Sequence, residues 1–187
     1  MGPRLPFAFL LCVFLGGCST VDRLNAPALE GKPGETGLVV VRAEATLQGF
    51  RDTSGQVVVG GTLLRVGQGD RIEGKAAAGY IVFSGLAPGD YLLETVHTTW
   101  TDLNYTIRHR YAVGDESTAQ LAVRAGEPAF IGFVRIREVR SAQEGRVYVE
   151  WRRTREDEAA AWRWFSGVFG AHPWAEAARR RLAALGS

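Results

Sequence analysis

Residues Tyr80–Glu94 read YIVFSGLAPGDYLLE, two apolar runs rich in β-branched and aromatic side chains joined by Ala87-Pro88-Gly89-Asp90. Pro88 presets φ at about −65° for the first corner of a turn, and Gly89 supplies the positive φ that a type II turn needs at its second. Such a turn returns Tyr91 and Leu93 to the side the chain came from. The stretch therefore predicts a strand–turn–strand hairpin buried in a β-rich fold.

The flanking sequence carries the same pattern in both directions. Upstream, Gly37–Ala45 (GLVVVRAEA) is rich in valine, and Gln56–Val66 (QVVVGGTLLRV) follows the turn signal Asp52-Thr53-Ser54-Gly55. Downstream, Tyr105, Ile107, His109, Tyr111 and Val113 share one parity while Asn104, Thr106, Arg108 and Arg110 share the other. Period-two alternation of this kind predicts one buried face and one wet face. The same reasoning places Ala119, Leu121 and Val123 inside, and Val147, Val149 and Trp151 inside with Arg146, Tyr148, Glu150 and Arg152 outside. Phe130–Val139 (FIGFVRIREV) begins apolar on both parities, as a central strand covered on both faces does. Short β runs at this spacing predict an antiparallel sandwich or barrel across residues 37–153.

The Tyr80–Glu94 stretch resembles the strand, Leu-x-Pro-Gly-x-Tyr, strand hairpin of transthyretin-like (prealbumin-like) sandwiches, including carboxypeptidase regulatory-type modules. The likeness spans residues from about 78 to 96. It implies a mainly β fold, an antiparallel transthyretin-like β-sandwich, and implies no activity.

After Arg155 the period changes. Glu156-Asp157-Glu158 places negative charge where the N-terminal dipole of a helix favours it, and Trp162, Phe165 and Phe169 follow at helical spacing before Gly170. Pro173 suits a first helical position, and Trp174, Ala178, Leu182 and Leu185 form an apolar stripe. Residues 154–187 thus predict a helical hairpin packed on the sandwich.

At the other end, Met1-Gly2-Pro3-Arg4 precedes an apolar run from Leu5 to Leu15, then Gly16, Gly17 and Cys18. The run is too short to cross a bilayer, which needs roughly 20 apolar residues, and it has the form of a secretory leader. Small Gly16 and Gly17 directly before Cys18 resemble the bacterial lipoprotein signal, the lipobox; Cys12 does not fit, because bulky Leu11 precedes it. The resemblance implies a signal peptide over residues 1–17, cleavage between Gly17 and Cys18, diacylglycerol on the Cys18 thiol and acylation of the new amine. Those acyl chains are the only non-protein group expected. Each buried methylene contributes about 0.8 kcal/mol, so several chains on one residue anchor a protein firmly. Ser19 stands where the family's inner-membrane retention rule favours aspartate. The implied location is therefore the bacterial outer membrane, facing the periplasm or the surface. Ser19–Thr36, with two prolines and two glycines, reads as a flexible tether completing the lipidated segment 18–36, with a reach of roughly 25 Å.

Composition narrows the functional classes. Twenty-two basic and 20 acidic residues leave a net charge of +2, too balanced for a nucleic-acid-binding surface. Cys12 leaves with the leader and Cys18 is taken by lipid, so no thiol remains for a disulfide, a nucleophile or a Cys-based metal site. Among the histidines, His97 lies three residues from Glu94, an odd offset that sends two strand side chains to opposite faces. His109 falls on the buried parity, and His172 precedes Pro173 in the interhelix turn. No Gly-x-Ser-x-Gly surrounds Ser84, and Ser54 interrupts any Asp-Thr-Gly likeness at Asp52. No helix pattern opens after Gly67-Gln68-Gly69, and Pro33 follows Gly31-Lys32 where a phosphate loop needs serine or threonine. The expectation is a non-enzymatic, lipid-anchored envelope protein with no metal, acting through contacts with another envelope protein. A peptide- or glycan-binding module, with Trp100, Tyr148 and Trp164 as contacts, is the alternative. An accessory role in a secretion apparatus is a further one, since the small lipoprotein of type VI secretion is similar in joining a lipobox to a transthyretin-like fold. That family's opening Asn-Pro strand signature is missing here.

Overall fold

The computed structural model describes residues 26–48, 53–101, 106–113, 119–140 and 144–186. The expected leader, with Gly17, and Cys18, Asp52 and Tyr105 lie outside the described residues. Among the described residues nine strands are followed by two helices: β1 (Gly37–Gln48), β2 (Thr53–Arg65), β3 (Arg71–Ala77), β4 (Tyr80–Leu86), β5 (Gly89–Thr101), β6 (Thr106–Ala112), β7 (Gln120–Val123), β8 (Pro128–Arg140), β9 (Gly145–Arg152), α1 (Arg155–Val168) and α2 (Pro173–Gly186). The chain is mainly β with a C-terminal two-helix unit.

All nine strands belong to one sheet in the order β6-β5-β2-β3-β4-β1-β8-β9, with β7 on the start of β5 and a direct β1–β2 pairing at Ala45–Gln48. The sheet is strongly curled. By the shortest route four strand steps separate β6 from β8, about 19 Å at roughly 4.8 Å per step if the sheet were flat. Yet the Tyr111 hydroxyl on β6 donates to Glu138 Oε2 on β8 at 2.5 Å.

Curling creates an inner face filled by Val39, Val41, Leu63, Ile81, Phe83, Tyr91, Val96, Val134 and Ile136, all almost fully buried. On the outer face Leu38, Val40, Val82 and Phe130 lie under the helices with Trp162, Phe165 and Trp174. Strands β1, β4 and β8 are therefore covered on both sides, and this accounts for the doubly apolar start of β8: Phe130 faces the helices while Ile131 faces the inner core.

Several expectations need correction. The sheet is not purely antiparallel, because β1 and β8 run parallel from Leu38 opposite Pro128 to Gln48 opposite Val139. Parallel neighbours require a long crossover, and the six intervening strands provide it. The Leu86–Tyr91 segment is not a hairpin either. Strand β4 pairs with β3 and β1, whereas β5 pairs with β2, β6 and β7, so the two are not neighbours. Gly89 sits at φ 154°, far from the type II value, and the segment forms a corner held when the buried Tyr91 hydroxyl donates to the Ala87 carbonyl at 2.8 Å. Thr53, Ser54 and Gly55, expected in a turn, open β2 and pair with β1. Val147 is 50% exposed, since β9 ends the sheet beyond the reach of the curl; Val149 and Trp151 still pack against the inner core.

Residues 26–36, expected within the tether, are laid on the fold. Leu29 packs beside the helix-side cluster, and the Glu30 N–H donates to Ser84 Oγ at 2.8 Å. Helix α1 opens at Thr154, whose Oγ1 accepts from the Asp157 N–H at 3.1 Å. The Asp157 carboxylate in turn takes two bonds from Arg152, at 3.0 and 3.2 Å, fastening the helix to β9. Burial pushes the Asp157 carboxyl up, but the hydrogen bonds from Arg152 and Thr154 outweigh it and hold the group below the usual carboxylate range. Among the described residues no helix is long and apolar enough to cross a membrane.

Candidate functional site

The three aromatic residues expected to form contacts do not share a site. Trp164, on α1, stacks on Tyr80 of β4 with ring centroids 4.3 Å apart and planes 17° apart. It cements the helix to the sheet and is not a free contact. Trp100 is half-buried opposite Ile107, where β5 meets β6 at one end of the sheet. Tyr148 lies on β9 at the other end and is 41% exposed.

Around Tyr148 the geometry is that of an open edge. Among the described residues β9 pairs with β8 alone, from Phe133 opposite Arg152 to Arg140 opposite Gly145, and its far edge has no neighbouring strand. Period two sends Val147 and Tyr148 to opposite faces, and both are exposed. The Arg137 guanidinium lies 4.9 Å from the Tyr148 ring centroid, a cation–π arrangement. Arg146 Nη2 donates to Glu144 Oε2 at 3.0 Å, and Glu144 followed by the Tyr148 hydroxyl strengthens its charged form. An edge strand presents a row of main-chain donors and acceptors that another extended chain can take up. Tyrosine and arginine beside it are the residue types that dominate protein contacts.

A polar cluster on the outer face of β2, β3 and β5 escaped sequence reasoning. His97 Nε2 lies 2.9 Å from Thr95 Oγ1 and 3.1 Å from Thr62 Oγ1, and its Nδ1 lies 3.5 Å from Glu73 Oε2. Thr62 Oγ1 donates to Glu73 Oε1 at 3.0 Å. Because that donation uses the hydroxyl hydrogen, Nε2 must carry a proton to bond Thr62, and His97 is no base toward this hydroxyl. Burial pushes the His97 pKa down, Glu73 opposes the shift, and Arg110 adds to it. Thr62 is 3% exposed, so its hydroxyl is closed to solvent, and the cluster ties three strands together.

The other candidates have structural partners. Glu94 accepts two bonds from Arg71 at 2.7 and 2.8 Å, apart from the His97 cluster. His109 is half-buried and stacks on Tyr111 at 5.7 Å. His172 Nδ1 accepts from the Trp174 N–H at 3.3 Å, capping α2. Gly67 and Gly69 adopt positive φ between β2 and β3, and a strand follows them. Among the described residues no group of three or more His, Cys, Asp or Glu is arranged to hold a metal ion.

No family model and no curated protein matches the chain. Among solved structures it is similar to a leucine-rich repeat protein from Bacteroides thetaiotaomicron, at 13% identity and a TM-score of 0.35 over 61% of this chain. The similarity spans 15% of that protein's chain.

Proposed function

We propose that this chain is a non-enzymatic, lipid-anchored protein of the bacterial cell envelope whose β-domain binds a partner polypeptide along β9. The observation that carries the reading is the open β9 edge, with Val147 and Tyr148 exposed on it. Strand addition uses main-chain hydrogen bonds for affinity and alternate side chains for specificity. A free main-chain edge selects another main chain, so a peptide segment suits it better than a glycan.

Anchoring rests on Leu15-Gly16-Gly17-Cys18, with acyl chains on Cys18 as the membrane attachment and no metal or nucleic-acid partner. The transthyretin-like reading of the sheet rests on the Leu86–Tyr91 sequence alone; the bond from the Tyr91 hydroxyl to the Ala87 carbonyl is of the kind that holds corners in other β-sandwiches.

A photoreactive amino acid at position 148 of the full chain, irradiated in intact cells, is expected to give a discrete protein adduct. Val147→Lys places a charge on the edge and should abolish it. Adducts that survive Val147→Lys, or that arise only from positions on the helical hairpin, contradict the reading. Cys18→Ala should move the chain from the membrane to the soluble fraction; retention at the membrane contradicts the anchor.

A further inference from the structure

Between α2 and the β7–β8 turn the surface opens into a cleft of about 530 Å³ whose wall carries four guanidinium groups, from Arg124, Arg153, Arg180 and Arg181. They come from separate parts of the chain: the ends of β7 and β9, and one turn of α2. Two carboxylates, Glu127 and Glu158, share the lining.

The pairing inside the cleft is uneven. Arg181 Nε is fixed on Glu158 Oε1 at 2.8 Å, and that carboxylate also accepts from the Trp162 indole at 3.2 Å. Arg180 reaches out of the cleft to Glu176, at 2.5 Å through Nη1. Arg124 is held loosely, 3.8 Å from Glu127. Among the described residues Arg153 has no ion pair, and Asp157, held by Arg152 and Arg42, does not line the cleft. Positive charge thus exceeds negative within the cleft; Arg153 is the unpaired cation there and Arg124 the most loosely paired one.

We propose that this cleft binds a small organic anion, a phosphate or carboxylate head on a compact apolar body. Arg153 and Arg124 meet the head, because a guanidinium fork matches the oxygens of either group bidentately. Pro128 and Ala129, both half-buried, line the part of the cleft that receives the body. The site lies on the hairpin side of the sheet and does not depend on partner binding at β9.

The test is calorimetric titration of the full chain in neutral detergent with phenyl phosphate, benzoate and benzyl alcohol. Saturable binding of phenyl phosphate or benzoate is expected, with none for the uncharged alcohol. The double variant Arg124→Ala/Arg153→Ala should weaken that binding at least about tenfold, while Arg179→Ala, on α2 outside the cleft, should leave it unchanged. Both arginine variants replace exposed side chains, and an unchanged thermal midpoint separates lost binding from lost folding. Three results each overturn the proposal: no saturable binding of either anion up to about 10 mM, equal binding of the alcohol, or a double variant that binds as tightly as the parent.

Discussion

Gly132 shows how much one residue decides. It stands at φ 154° within the β8 bulge, where β1 advances two residues while β8 advances three. A Cβ there would lie 2.7 Å from both the Arg152 carbonyl oxygen and Trp151 Nε1. Gly132→Ala combines an unfavourable backbone with a collision, and should lower stability by roughly 2 kcal/mol in urea unfolding; an unchanged midpoint contradicts the geometry. His97 gives a second residue-scale expectation. Burial, joined by Arg110 and opposed by Glu73, sets its folded pKa below the unfolded value. The folded state then binds fewer protons, so this contribution is full above about pH 6.5 and falls as the pH drops toward the lowered folded value. The stability gap between the parent and His97→Gln should narrow between about pH 7.5 and pH 5; a constant gap contradicts the assignment. This cluster was not legible in the sequence, because Thr62, Glu73 and His97 meet only through a strand register interrupted by bulges.

At the scale of elements, parity and period carried much of the architecture. The covered start of β8, the buried side of β7, and the Trp162, Phe165 and Trp174 faces of the helices all follow from side-chain spacing. Pairing did not follow. Leu-x-Pro-Gly-x-Tyr specifies a change of direction, which serves a corner between non-adjacent strands as well as a hairpin, and nothing local distinguishes them. The helical unit owes its docking to buried aromatics, so Trp162→Ala should destabilise the fold by about 3–5 kcal/mol, removing a fully buried side chain and a hydrogen bond to Glu158. A loss under about 1 kcal/mol in chemical denaturation would mean that the hairpin contributes little to the common core.

For the whole molecule, the curl places a closed inner core on one side, a helix-covered face on the other, and an exposed strand at one end. That long-range arrangement could not be read from spacing, since the Tyr111–Glu138 contact joins positions 27 residues apart in sequence. The candidate site was legible only as a single exposed tyrosine; the open edge that gives Tyr148 meaning emerges from strand order. On the function proposed above, the chain works by presenting that edge from a membrane. The most direct measurement is the mass of the mature amino-terminal peptide from membranes of the native host. Our account predicts a chain beginning at Cys18, with diacylglycerol on sulfur and a fatty acyl group on the new amine. A chain that retains Met1, or one that starts elsewhere without lipid, contradicts it.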